Sequence, residues 1–154
     1  MLDKTEITKA RVYLASPFFS PTQNGLLDRV EQALEDNPFV EAYFSPRKSQ
    51  ITALQYGSEI WRDATFKMDV DNIEWATHIV AVADFDGADA DSGTAFEIGY
   101  AFATGKPVIL LHETDTDVNL MLSESLHYYT KDVQDIEDYN FLKMPKSTYN
   151  GKII

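Results

Sequence analysis

One glutamate stands alone in a stretch that is otherwise almost free of charge. Residues 92–105 read SGTAFEIGYAFATG, and Glu97 is the one charged side chain among them. Burying a carboxylate among apolar side chains disfavours its ionised form unless a nearby group compensates for it. Such a position is typical of a group with a chemical role, so we interpret Glu97 as the chemical centre of the protein. A buried structural ion pair is the alternative that the sequence leaves open.

Two aspartates are candidates to act beside Glu97. Asp91 closes an acidic loop, DFDGADAD, directly before the glutamate's helix, and Asp69 ends the earlier segment WRDATFKMD. The spacing of Asp69 from the apolar Trp61 indicates an inward-facing side chain, with an exposed position as the equal alternative. Asp91 has the simpler alternative of capping the helix. Carboxylates that converge on a pocket suit glycosyl transfer, with one nucleophile and one proton donor, and the spacing does not decide which aspartate donates.

Small residues flank Glu97 on its own side of the helix. Gly93 and Ala101 lie four positions before and four positions after it, where side chains share one helix face. Because neither residue carries a large side chain, we expect room for a ligand beside the carboxylate.

No metal ion or organic cofactor is expected. The acidic loop lacks the spacing of an EF-hand, which leaves magnesium held by several carboxylates as a weaker alternative. The sequence has no G-x-G-x-x-G after its first predicted strand, no G-x-x-x-x-G-K-[ST] and no G-x-S-x-G. The three histidines, His78, His112 and His127, fall at the edges of predicted strands and are interpreted as structural.

Composition argues against several classes of partner and location. A formal net charge of −12 with 13 Lys and Arg disfavours nucleic acid, because binding to its backbone needs clustered basic side chains. The sequence has no cysteine, no apolar run long enough to span a membrane and no signal peptide, so we expect a cytoplasmic protein. With 154 residues, 44% of them hydrophobic, it is expected to form a single domain over residues 1–154.

Apolar strands alternate with amphipathic helices along the chain. Strands are predicted at 11–15, 40–44, 78–83, 108–111 and 126–130. Helices are predicted at 23–35, 58–76, 92–105 and 119–123, with Thr22 as the N-cap of the first. This alternation predicts an α/β, doubly wound (flavodoxin-like) sandwich with a central parallel sheet of about five strands.

Such folds bind their ligands outside the carboxyl ends of the strands. The loops predicted at that edge of the sheet are 16–21, 45–57, 84–92 and 112–119. These loops also have unusual composition, so the fold class and the composition indicate the same region for the site.

The chain also resembles a known family, the nucleoside 2-deoxyribosyltransferases, over nearly its whole length. The most specific part of the resemblance is DSGTAFEIGY, in which Asp91 and Glu97 keep the family spacing and Ile-Gly-Tyr follows the glutamate. The other parts are VYLASPFF at 12–19, Gln50 in SPRKSQ, WRDATFKMD at 61–69, NLM at 119–121 and DYNF at 138–141.

The resemblance implies a retaining exchange of 2-deoxyribose between nucleobases, through a covalent deoxyribosyl-enzyme and without a cofactor. Glu97 matches the nucleophile, and Tyr13 matches the tyrosine whose hydroxyl orients it. Asp69 and Asp91 match the carboxylates that meet the base and assist proton transfer. The substrates would be 2′-deoxynucleosides and free purine or pyrimidine bases.

The resemblance also implies where the substrate is bound. Phe19, Gln50 and Trp61 fall in segments on the substrate side of the site, and Gly93 leaves space beside the nucleophile. Asn119 and Met121 match residues that reach the sugar site of a neighbouring subunit in a homohexamer with shared active sites.

Two other functions compete with deoxyribosyl transfer. An N-glycoside hydrolase would use the same Glu97 and release free deoxyribose to water. Related hydrolases of 5′-monophosphates carry glycine and arginine in the loop after the first strand, whereas the loop here, SPFFSP, offers no phosphate cradle. The other competing hypothesis is a protein that binds a nucleoside without catalysing a reaction.

Overall fold

The computed structural model describes residues 9–87 and 89–154, and its centre is a parallel sheet. Its five strands are hydrogen-bonded in the order β2-β1-β3-β4-β5, and every pair is parallel. The strands are β1 Ala10–Ala15, β2 Val40–Phe44, β3 His78–Val82, β4 Val108–Leu111 and β5 Tyr128–Thr130.

Helices cover both faces of the sheet, as the predicted doubly wound fold requires. They are α1 Pro21–Asp36, α2 Glu59–Trp75, α3 Ser92–Ala103, α4 Leu120–Ser123 and α5 Val133–Asp138, with a 3₁₀ helix at Pro46–Ser49. The prediction of an α/β sandwich with a five-stranded parallel sheet is therefore confirmed. None of the helices in the described part of the chain is long and apolar enough to cross a membrane.

Alternation along β1 divides the interior into two cores. Val12 and Leu14 pack with α1 and α5 on one face of the sheet. Tyr13 and Ala15 point to the other face, where the buried side chains of α2 and α3 pack. This alternation places the hydroxyl of Tyr13 on the α3 side of the sheet.

The site lies where the direction of winding reverses. The chain passes from β1 to β2 at one edge and then crosses back to β3 on the other side of β1. In such sheets the loops that leave the two strands at the reversal diverge, and a crevice opens outside their carboxyl ends. The loops after β1 and β3 lead directly into α1 and α3.

Several element boundaries differ from the sequence-based prediction. The first helix begins at Pro21, and its N-cap is Ser20, whose Oγ accepts from the Gln23 backbone N–H at 3.2 Å, so Thr22 is not the cap. Proline favours the first helical position because its missing N–H would have no partner there. The last strand begins at Tyr128 and not at residue 126, while α5 and the short 3₁₀ helix were not predicted.

Candidate active site

The N-terminus of α3 is built around Asp91. Its Oδ2 accepts a hydrogen bond from the Thr94 backbone N–H at 3.1 Å, which makes Asp91 the N-cap. A Cβ at Gly93 would lie 3.0 Å from that same oxygen, so glycine leaves the capping carboxylate its space. Helix capping, which the sequence gave as the simpler interpretation of Asp91, is therefore present in the structure and engages one oxygen of its carboxylate, Oδ2.

Glu97 lies one turn further along α3 and meets Tyr13 from the sheet. Tyr13 is fully buried, and its hydroxyl donates a hydrogen bond to Oε2 of Glu97. Burial raises the pKa of Tyr13 far above its usual range, and the charges of Glu97 and Asp69 raise it further. Tyr13 therefore stays protonated and serves as a fixed hydrogen-bond donor to the glutamate.

The carboxyl group of Glu97 lacks a cationic partner among the hydrogen bonds and ion pairs of the described residues. Burial raises its pKa from 4.5 to about 8. The hydrogen bond from Tyr13 lowers the pKa, but the negative charges of Asp69 and Asp91 oppose that effect. Glu97 is thus held in an environment that resists ionisation, which leaves a newly formed carboxylate poorly compensated and reactive.

Asp69 approaches the same place from α2. Its Oδ1 is buried without a hydrogen-bond partner in the described structure, and burial raises its pKa from 3.8 to about 6. Thr65, one helical turn earlier, likewise has a buried hydroxyl oxygen without a partner. Buried polar atoms normally have hydrogen-bond partners, so two buried oxygens without one on the same helix are typical of a site that binds a polar ligand.

A cleft of about 260 Å³ between α2 and α3 contains these carboxyl groups. Glu97 and Asp69 lie on its walls with Gly93, so the glycine does leave open space beside the glutamate. Ala101 does not contribute, because it is fully buried in the core behind the helix. The complete lining is Phe66, Asp69, Val70, Ile73, Gly93, Phe96 and Glu97.

Three predicted substrate residues do not line this cleft. Phe19, in the loop after β1, is 67% exposed, and Gln50, after the 3₁₀ helix, is also exposed. Trp61, in the first turn of α2, packs against Tyr56 with ring centroids 4.5 Å apart. These two aromatic rings therefore form an accessible apolar surface, of which Trp61 lies two turns before Asp69 on α2 and Tyr56 lies in the segment before that helix.

Asn119 and Met121 lie on the other side of α3 from Glu97. They line a separate cavity of about 610 Å³ with Ala95, Gly99 and Phe102, whereas Gly93, Phe96 and Glu97 face the carboxylate cleft. Asn119 is also the N-cap of α4, since its Oδ1 accepts from the Met121 backbone N–H at 2.9 Å. Neither residue shares the cleft of its own chain's Glu97.

Two other aspartates of the acidic loop, Asp84 and Asp86, make structural hydrogen bonds. Asp84 accepts hydrogen bonds from the backbone N–H groups of Glu113 and Thr114, both at 2.9 Å, which ties the loop after β3 to the loop after β4. Asp86 accepts from Gln23 at 3.0 Å, although it is exposed to solvent. These contacts explain why the loop is acidic without assigning its other carboxylates to chemistry.

Sequence reasoning gave no role to Thr65 or Tyr56, although both lie in or beside the site. Thr65 occupies the position four residues before Asp69, and this helical spacing was the available signal. Tyr56 had no comparable signal, because the irregular segment before α2 has no period that predicts which side chains meet. Its contact with Trp61 is visible only in the folded chain.

The family model and the relatives that match this chain are described in the same terms, as deoxyribosyltransferases. A family model described as nucleoside 2-deoxyribosyltransferase matches residues 12–137. A nucleoside deoxyribosyltransferase of Limosilactobacillus fermentum is 30% identical over an aligned length of 156, and the match covers 92% of each chain. The solved structure of the 2-deoxyribosyltransferase from Bacillus psychrosaccharolyticus is 39% identical with a TM-score of 0.82, and the match covers 91% of this chain and 99% of that one.

A more distant structure shares the fold alone. The CMP N-glycosidase of Clostridium botulinum is 21% identical, with a TM-score of 0.56, and the match covers 83% of this chain and 96% of that chain. At this identity the likeness carries no information about the reaction of the present chain.

Proposed function

This chain belongs to the nucleoside 2-deoxyribosyltransferase family of enzymes, and on that premise we propose that it exchanges 2-deoxyribose by a retaining double displacement. The observation that carries the proposal is the cluster of Tyr13, Glu97 and Asp69 around one cleft. In the first step a carboxylate oxygen of Glu97 bonds to C1′ of the sugar while the bond from C1′ to the base nitrogen breaks. In the second, a nitrogen of the incoming base displaces Glu97 from C1′.

The chemistry suits the groups around the cleft. The glycosidic bond breaks through an oxocarbenium-like state, and an adjacent carboxylate stabilises that positive charge before trapping it. A sugar without a 2-hydroxyl reaches this state more readily, so little further machinery is required. The hydrogen bond from Tyr13 fixes which oxygen of Glu97 is engaged and leaves the other free to attack.

We assign the proton transfer to Asp69. A departing base needs a proton, and the incoming base must lose one, so a single group can serve both half-reactions. Asp69 has a buried oxygen without a partner and a pKa raised to about 6, which suits a group that gives and takes protons near neutrality. Asp91 is already engaged as a helix cap, and its role is to hold the start of α3 in place.

We further propose a homo-oligomer, six subunits by resemblance, in which neighbouring chains share active sites. Of the 17 residues of α2, Ile73 alone is buried, so most of this helix presents its surface outward. Together with α3 and α4 it exposes a set of large apolar side chains that a second copy would cover. They are Ile60, Phe66, Phe96, Phe102 and Met121.

Sharing explains the position of Asn119 and Met121. Because they face away from their own Glu97, they would complete the sugar site of a neighbour. Asn119 uses its Oδ1 to cap α4, which leaves the amide N–H₂ to donate to a sugar hydroxyl.

Co-expression of two variants tests the sharing. Glu97→Gln removes the nucleophile, and Asn119→Asp keeps the capping oxygen but removes the amide donor. Mixed oligomers would contain some sites with both native groups, so their exchange activity should exceed that of either variant alone. A monomeric mass in solution, or no recovery in the mixture, would refute shared sites.

One incubation tests the reaction itself. Deoxyinosine and adenine are mixed with the enzyme, and the products are followed by chromatography. Formation of deoxyadenosine with release of hypoxanthine is the expected result. Release of hypoxanthine with free deoxyribose and no deoxyadenosine would indicate a hydrolase, and no change in either nucleoside would contradict both enzymatic readings.

A further inference from the structure

We propose that Arg47 is a positioning residue that holds together the two loops carrying Phe19 and Gln50. This inference rests on the proposed function, because it assumes that both loops lie on the substrate side of the site. We call Arg47 and the groups bound by its guanidinium the Arg47 clamp. Its members besides Arg47 are Asn24, Asp28 and Glu31, all on α1.

The fixed end of the clamp is Glu31. Its side chain is buried, with the residue only 4% exposed, and it meets Arg47 in a two-pronged contact, at 2.9 Å to Nε and 2.6 Å to Nη2. Ser45 donates to the same carboxylate at 2.7 Å. Paired, parallel hydrogen bonds of this kind fix orientation as well as distance, so the 3₁₀ helix is held against α1.

The first loop is connected through the main chain of Arg47. Its carbonyl oxygen accepts a hydrogen bond from the side-chain amide of Gln50 at 3.2 Å. Beyond Gln50 the chain has no regular secondary structure until α2 begins. The Arg47 clamp and the ion pair of Lys48 with Glu31 therefore attach the 3₁₀ helix to α1 just before the segment that leads on to Trp61.

The second loop is connected through Asn24. Nη1 of Arg47 donates to both the main-chain oxygen and the Oδ1 of Asn24, each at 3.2 Å. The Asn24 amide nitrogen in turn donates to the carbonyl oxygens of Phe18 and Ser20, at 3.2 and 3.1 Å. Those two carbonyls flank Phe19, so the loop after β1 is held on both sides of that residue.

This arrangement requires the shape of arginine and not only its charge. One planar guanidinium meets Glu31, Asp28 and Asn24 at the same time, with side-chain exposure of only 16%. A lysine at position 47 would keep the positive charge as a single point and could not reach all three groups in fixed directions. The clamp contacts neither Glu97 nor Asp69, so its loss should affect base binding more than bond breaking.

The decisive experiment compares Arg47→Lys with Arg29→Lys. Arg29 is also on α1 and also binds a carboxylate twice, at 2.7 Å to each oxygen of Glu113, but it has no contact with either loop. Binding of labelled adenine by equilibrium dialysis and the KM and kcat of exchange are measured well below the melting temperature of each variant. Arg47→Lys should raise the Kd and KM for adenine by about tenfold, with kcat within about twofold of wild type.

Asn24→Asp supplies a second variant that separates positioning from stability. It keeps an oxygen for Arg47 but removes the donor to Phe18 and Ser20, so it should also raise the Kd for adenine. In the double variant the two effects should not add, because both act through one connection. Equal KM and Kd in Arg47→Lys and Arg29→Lys, or a loss confined to the melting temperature, would overturn the proposal.

Failure of the clamp and failure of the proposed function give different results. A wild-type enzyme that binds adenine without making deoxyadenosine would contradict the transfer reaction, while dialysis still tests the clamp. A wild-type enzyme that exchanges bases normally, with unchanged adenine binding in both Arg47→Lys and Asn24→Asp, would contradict the clamp alone. A wild-type enzyme that does not bind adenine would overturn both.

Discussion

Two helical glutamates in this protein have side-chain pKa values that are shifted in opposite directions. Glu31 on α1 and Glu97 on α3 both lie on helices that pack against the sheet near the carboxyl ends of its strands. Burial works to raise the pKa of each. For Glu31, hydrogen bonds from Arg47 and Ser45 and the nearby positive charges outweigh burial, so its pKa is lowered. For Glu97, the hydrogen bond from Tyr13 does not outweigh the effect of burial, and the pKa of Glu97 rises to about 8.

The difference separates a structural carboxylate from a chemical one. A compensated carboxylate such as Glu31 is a fixed charge that organises the loops around it and has little tendency to react. An uncompensated carboxylate such as Glu97 is costly to keep ionised, and a positively charged transition state beside it relieves that cost. The contrast predicts opposite outcomes when each glutamate is replaced by glutamine.

The largest expected effect is on the activity of Glu97→Gln. Glutamine keeps the size of the side chain but cannot form the sugar ester, so exchange should fall on the order of 10⁴-fold or more. The initial rate of deoxyadenosine formation from deoxyinosine and adenine measures this. Glu41→Gln, an exposed change on β2, is the matched control and should retain wild-type turnover. Turnover by the Glu97 variant within tenfold of wild type would remove it from the reaction.

Asp69→Asn is expected to reduce exchange by roughly 10²- to 10³-fold, because the departing base no longer receives a proton. A nucleoside that carries its positive charge in advance, 7-methyl-2′-deoxyguanosine, needs no such proton. Cleavage of that substrate should therefore be nearly equal in Asp69→Asn and wild type. If Asp91→Asn showed this selective recovery and Asp69→Asn did not, the proton-transfer role would belong to Asp91.

Stability should respond in opposite directions to the two glutamines. Glu31→Gln leaves the largely buried Arg47 with only the exposed carboxylate of Asp28 as an ionic partner and should lower the free energy of unfolding by about 3 kcal/mol. Glu97→Gln should instead stabilise the protein, by about 2 kcal/mol at pH 9. Chemical denaturation at matched pH measures both values. Loss of stability in both variants would mean that Glu97 is a compensated charge after all.

The pH dependence of the second effect follows from the direction of the shift. The folded-state pKa of Glu97 is raised from 4.5 to about 8, so the folded state holds its proton more tightly than the unfolded chain does. The stability linked to that proton is complete below about pH 4.5 and is lost as the pH rises to about 8. The advantage of Glu97→Gln should therefore be small at pH 5 and full at pH 9.

The smallest effect expected is that of Tyr13→Phe, a loss of about tenfold in exchange rate. The reactive form carries an ionised Glu97 and a protonated Asp69, which is the minor one of the two singly protonated forms. Wild-type kcat/KM should therefore be bell-shaped, with limbs near pH 6 and pH 8 that belong to the two carboxyl groups together. The Tyr13 hydrogen bond lowers the pKa of Glu97, so its removal should move the basic limb to higher pH. A rate loss without a shift in that limb would assign Tyr13 to packing alone.

The sequence identified Glu97 but not Glu31, for a physical reason. Glu97 stands out because its neighbours along the chain are apolar, and this is a local property. Glu31 lies among other charged residues on an amphipathic helix, and its partner Arg47 is 16 positions away. Which charges meet across that distance depends on how the helix packs on the sheet, and no local pattern encodes it.

The same limit explains the other differences between prediction and structure. The order of the five strands and of helices α1 to α4 follows from local apolar runs, and it was predicted correctly, whereas α5 and the 3₁₀ helix were not predicted. Local apolar runs do not determine how far a helix is rotated about its own axis. This rotation decides that Gly93 borders the cleft while Ala101 lies in the core. The competition between Ser20 and Thr22 for the N-cap was settled by Pro21, which occupies the first helical position.

The proposed mechanism requires Glu97 to form a covalent bond to the sugar, and this bond can be trapped. The enzyme is incubated with a 2′-fluoro-2′-deoxynucleoside, which slows formation and breakdown of the intermediate, and is then examined by intact-protein and peptide mass spectrometry. We predict an added mass equal to one fluorinated deoxyribosyl group, located on the peptide that contains Glu97 and absent from Glu97→Gln. Release of base from the same nucleoside without an adduct, or an adduct on any other residue, would contradict the proposed mechanism.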